Sequence, residues 1–209
     1  VLEHNQTDLA ALRNLPGDAN LETAEQLAAL PARLEEIVSS SASGPAHDAA
    51  LMLGIVTRQM SAPVLPVVEV SRSSYSSDDA PASAAADGQW NVIDVKNMWQ
   101  YPAGKRPLIV LDLGEVPTVA GVRIWNFNLP GNTHRGWKDV DIFVSETRSL
   151  LTPVAQGLGP PAPGRADVGD YSTTLSVPFV RGQYIKIEPR SVWRDDGYAG
   201  VTEIEVVGF

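Results

Sequence analysis

From Val67 to the C-terminus, apolar residues alternate with polar ones in short runs, the period of half-buried β-strands. VVEVS, LIVLDLG, VRIWNF, VDIFVS, TTLSVPFV, QYIKIEP and TEIEVVG each predict a strand. Val122 and Ile124 in one run, and Val140, Ile142 and Val144 in another, fall on core-facing positions. Between these two runs Leu129-Pro130-Gly131-Asn132 marks a turn, because Pro, Gly and Asn favour the dihedrals that turns need. Two longer connections interrupt the pattern. One is polar and ends at Gly88; the other, Val154 to Tyr171, is rich in Gly and Pro and is expected to be a mobile hairpin connection. Many short strands punctuated by turns predict a β-sandwich or barrel.

The first sixty residues follow a helical period instead. Leu9, Leu12 and Leu15 are stopped by Pro16-Gly17, and Leu27, Leu30, Leu34, Ile37 and Val38 follow behind Asn20. Pro45 to Met60 predicts a third helix. Residues 1–62 are therefore expected to be a helical appendage or the tail of a preceding helical domain. Ser61 to Pro66, with two prolines and no helical period, is expected to be a linker, and 67–209 the sandwich.

Composition narrows the chemistry. The chain has 209 residues, 44% of them apolar, enough for one packed domain and an appendage. A net charge of -9 opposes binding to a nucleic-acid backbone, and no run of apolar residues is long enough to insert in a membrane. No cysteine is present, so a disulfide framework and a thiolate metal site are excluded. The chain carries no G-x-S-x-G, H-E-x-x-H or P-loop pattern, and its histidines, His4, His47 and His134, lie far apart. No catalytic residue is expected.

Three segments carry a resemblance: W-N-F-N at Trp125–Asn128, R-G-W-K-D-V at Arg135–Val140, and the closing T-E-I-E-V from Thr202, with DLG before the first and YIKIE between the second and the third. In these the chain resembles the discoidin or coagulation-factor C-type domain, the galactose-binding-like jelly roll. It is closest to a branch found in bacterial carbohydrate-binding modules and, in altered form, in katanin-interacting protein domains. The resemblance covers about Val67 to Phe209 and implies a mainly β, jelly-roll sandwich. In that fold the ligand contacts come from loops at one end.

Those loops here contain aromatic and planar polar side chains, the pairing that recognises sugars by stacking and hydroxyl hydrogen bonds. Trp193 is the expected stacking platform, with Arg135, His134, Asn128, Trp137, Asp195, Tyr198 and Trp99 as candidate ligand contacts. For several of these a structural role competes: Trp99 plugging the sandwich end, Arg135 pairing with Asp139, and Asn126 and Asn128 serving loop backbone. Trp125 is expected to be buried. The resemblance also implies a structural calcium, held by Asp87 of the D-G turn, Glu203 of the closing motif, and Asp94. The alternative is that Glu203 only hydrogen-bonds the Asp87 loop.

The expected function is a non-catalytic carbohydrate-binding module of a larger exported bacterial protein, acting beside covalently linked domains, extracellular or in the cell envelope. A protein–protein interaction module and a fragment of a polysaccharide-degrading enzyme are the two rivals.

Overall fold

The computed structural model describes residues 61–72, 80–103, 107–149 and 152–209, with Ala32, Glu36, Ser39, Asp48, 50–54 and Arg58 before them. It divides into two units, Val1–Ser61 and Ala62–Phe209. The described residues of the first unit are helical up to Arg58, and Ser61 is in a turn. Most of the three helices expected there, and most of the polar loop at 73–79, lie outside the described residues.

The described residues of the second unit contain ten strands: β1 (Val64–Leu65), β2 (Glu69–Arg72), β3 (Trp99–Pro102), β4 (Ile109–Asp112), β5 (Thr118–Asn126), β6 (Trp137–Ser145), β7 (Ala155–Leu158), β8 (Thr173–Arg181), β9 (Tyr184–Val192) and β10 (Tyr198–Gly208). They form two five-stranded sheets, one ordered β1-β10-β5-β8 with β3 also on β10, the other β2-β4-β9-β6-β7. Every strand pair is antiparallel. Among the described residues the one parallel contact is an isolated bridge between Gly136 and Gly200.

Alternation decides which side chains enter the core. Val122, Ile124, Val140, Ile142, Ile185, Ile187, Ile204 and Val206 are all nearly or fully buried in one cluster between the sheets. All seven expected strands are present. Three others are not evident in the alternation. β1 lies inside the expected linker, where Val64 pairs with Val207, so the sandwich begins before Val67. β3 lines up along the first residues of β10, from Tyr198↔Pro102 to Val201↔Trp99. β7 is cut from the expected hairpin connection and pairs with β6. The hydrogen-bonding partners of all three are the long strands beside them.

The end of the sandwich where β3, β6 and β10 meet is closed by aromatics. Trp99 and Trp137 meet edge to face with centroids 6.1 Å apart, and Tyr101 lies 4.6 Å from Trp99. Trp137 Nε1 donates to the Tyr101 hydroxyl at 2.7 Å. Burial of that hydroxyl pushes the Tyr101 pKa well above the usual phenol range. Buried aromatics of this size each contribute about 4–6 kcal/mol of transfer free energy. They form a rigid floor under the loops of that end.

Candidate functional site

Two loops meet above this floor. The first is the turn Thr133–Arg135 leading into Gly136 and β6; the second connects β9 to β10 across residues 193–197. Backbone joins them, with Arg194 N donating to the His134 carbonyl at 3.0 Å. Side chains reinforce the joint. Asp196 accepts from His134 Nε2 at 2.9 Å and from Arg135 Nε at 3.0 Å, with Arg135 Nη2 at 2.9 Å. The Arg135 hydrogen bonds first, then that of His134, hold the Asp196 carboxyl well below the usual carboxylate range. Arg135 also lies over the Tyr198 ring, 5.0 Å from its centroid. Arg194 Nη2 lies against the His134 ring at 3.2 Å.

Trp193 projects from the same end and is 43% exposed. It is exposed but fixed. Its indole N–H donates to the Gly159 carbonyl at 2.9 Å, and the Lys138 ammonium sits 5.5 Å from its ring centroid. Its ring lines a cleft of about 410 Å³ together with Tyr101, Arg190, Ser191, Arg194 and Asp195. The Asp195 carboxylate accepts from Gly197 N at 2.9 Å, an Asx turn that shapes the loop tip. Tyr198 is 44% exposed. The structure therefore brings Trp193, His134, Arg135, Asp195 and Tyr198 together at one end.

Three other expected contacts are buried. Trp99 and Trp137 have no exposed surface and belong to the aromatic floor. Asn128 is equally buried, and its side chain is fully used: Nδ2 donates to the carbonyls of Val92 and Arg165 at 3.0 Å, and Oδ1 accepts from Gly164 N at 2.7 Å. No ligand reaches these three. Asn126 works in the same way, accepting from Trp137 N and donating to the carbonyls of Trp137 and Pro160. The two asparagines thus pin the 159–165 stretch, which is an anchored strap at these points rather than a mobile connection. Because Gly159 also holds Trp193, the strap positions the platform. The alternative pairing of Arg135 with Asp139 is absent: Arg135 takes Asp196, and Asp139 accepts from the Ser191 hydroxyl.

The sequence places the site in the loops 134–137 and 190–198, which include Arg190 and Asp196, but singles out neither of these nor Lys138 as a contact. For Asp196 the sequence offered two adjacent acids in one turn and nothing to choose between them. The RGWKDV segment did contain Lys138, but a strand residue beside a buried Trp gives no sign that it reaches a platform fifty-five residues away.

The implied calcium ligands are split. Glu203 is 1% exposed, and its Oε2 accepts from the peptide N–H groups of Asp87 and Gly88 at 3.2 Å each. Burial, and then the charge of Asp87, push the Glu203 carboxyl up to about 8. A cation shared with Asp87 would offset the repulsion between the two carboxylates, which are hard oxygen donors suited to calcium; the Asp87 carboxylate also accepts from Gln89 N at 2.9 Å and Gln89 Nε2 at 3.3 Å. Asp94 does not join them, because its carboxylate accepts from Lys96 N and caps the turn Val95–Asn97. Among the described residues no set of three acidic or histidine ligands converges.

No family model matches this chain, and no curated protein does. Solved structures do. The lectin domain of lectinolysin, complexed with Lewis B antigen, superimposes with a TM-score of 0.52 at 17% identity over 68% of this chain and 92% of that one. The family 32 carbohydrate-binding module of Clostridium perfringens NanJ, in complex with galactose, gives 0.51 at 21% identity over 68% and 96%. A pectin-binding carbohydrate-binding module gives 0.52 at 19% over 68% and 91%. These likenesses, with the sheet order above, establish the fold as a discoidin-like, galactose-binding-like jelly-roll sandwich.

Proposed function

We propose that residues 62–209 form a non-catalytic carbohydrate-binding module whose site is the loop end that carries Trp193. The carrying observation is an exposed indole held rigid by Gly159 at the wall of a cleft, beside planar polar side chains from two loops. Stacking on a fixed ring needs little ordering on binding, and sugars present the apolar C–H faces that such a ring accepts. Arg135, His134, Asp195 and Tyr198 supply the polar rim. The similar solved structures include modules with bound galactose and Lewis B antigen, which supports this reading over a protein-binding or hydrolytic one. The module belongs to an exported bacterial protein and works by tethering linked domains to a glycan surface, where a weak site gains from raised local concentration. A structural calcium held by Asp87 and Glu203 completes the proposal.

A glycan-array screen of the chain, run with calcium and with chelator, tests the function. Binding to at least one glycan class supports it. An array without a hit in either condition contradicts it.

A further inference from the structure

The cleft beside Trp193 does not end there. Its walls at Arg190 and Ser191 are also walls of a second, larger hollow of about 570 Å³ on the outer face of the β9-β6-β7 sheet. Register places the parts of this hollow side by side: Ser191 is opposite Asp139 on β6, and Asp141 is opposite Gln156 on β7. With strands about 4.8 Å apart and residues about 3.3 Å apart along them, the path from Trp193 to Gln156 spans on the order of 15 Å, more than one sugar ring covers. Its floor is built. Asp141 is 1% exposed, is bound by the Arg190 guanidinium and accepts from Gln156 Nε2 at 2.8 Å, and Asp139 holds the Ser191 hydroxyl.

Resting on the carbohydrate-binding reading, we propose that the ligand is an internal stretch of polysaccharide chain rather than a single terminal sugar. One unit stacks on Trp193. The following units run past Arg190 and Ser191 into the hollow, where the free lone pairs and N–H groups of Asp139 and Gln156 meet their hydroxyls. The order of groups along the path, aromatic then planar polar, gives a chain one strong subsite and then weaker ones that add contact at each unit.

The test is calorimetric titration of the full chain with fragments of one to six units from galactan, mannan, xylan and polygalacturonate. For the polymer that binds, Kd falls at least tenfold from one unit to four and then levels off, a rise beyond the fewfold gain from extra binding registers on a longer fragment. Asp139→Asn and Gln156→Ala each weaken the four-unit fragment at least fivefold, with melting temperatures checked against wild type. Lengths that bind within twofold of each other overturn the chain reading while leaving the carbohydrate-binding module intact. Failure of every fragment, together with an empty glycan array, overturns both.

Discussion

Arg135 donates its Nε hydrogen to both carboxylate oxygens of Asp196 at 3.0 Å, although the two residues are 61 positions apart. The bond ties the two site loops to each other, so the polar rim is set by an ion pair that neither loop could form alone. Charge-assisted bonds of this partly exposed kind contribute modestly to stability. Arg135→Ala therefore lowers stability by about 1–2 kcal/mol in urea titrations, leaves the domain folded, and weakens glycan retention.

The same bond has a pH signature. Because Arg135 and His134 depress the Asp196 carboxyl below its ordinary value of 3.8, the folded state binds fewer protons there than the unfolded chain. Its contribution is present above about pH 4 and is lost as pH falls below that. Asp196→Asn removes this contribution, so the variant loses less stability than wild type between pH 4 and 2. Melting temperatures across that range measure it.

Glu203 runs the opposite way. Its folded carboxyl titrates at about 8 against an ordinary 4.5, so the folded state keeps the proton longer. Its favourable contribution is complete below about pH 4.5 and declines as pH rises to 8. The melting temperature in chelator falls over that interval, and Glu203→Gln flattens the fall. If calcium binds at Asp87 and Glu203, millimolar calcium restores stability at pH 8 in wild type and not in the variant. An identical pH slope with and without calcium removes the calcium proposal.

Asn128→Ala separates an internal role from a ligand role. The substitution strands the carbonyls of Val92 and Arg165 and the N–H of Gly164, each bonded by the amide in the native fold. Unpaired buried groups cost about 1–3 kcal/mol each. These groups are only partly buried, so the free energy of unfolding drops by about 1–3 kcal/mol in total and the midpoint falls with it. A normal midpoint with lost glycan binding would return Asn128 to the site.

Seven of the strands were legible in the sequence because a period of two is a local signal that burial enforces on each strand. Trp125 shows its limit. It points away from the sheet interface yet is buried, because Trp90 stacks on it 5.9 Å away and Asp170 takes its indole N–H at 2.8 Å. Neither partner is near in sequence. The WNFN and RGWKDV motifs lie at the end of the sandwich where the site is proposed, and Asn126, Asn128 and Trp137 within them are buried parts of its framework. Gly136 is an example: a Cβ there would come within 2.4 Å of Asn126 Oδ1, so the motif's glycine makes room for the amide that pins the strap. Trp193 and its loop were legible as an exposed aromatic among turn residues. Asp196 as partner of Arg135 was not, since pairing across 61 residues leaves no local trace.

Binding by Trp193→Ala and Trp193→Phe, against wild type, on the glycan that the array identifies tests the central claim most directly. With a stacking platform at the centre of a small interface, the alanine variant loses at least a hundredfold in affinity, while phenylalanine keeps part of it, both at near-wild-type melting temperature. An alanine variant that is folded and binds as tightly as wild type would place the site elsewhere on the molecule.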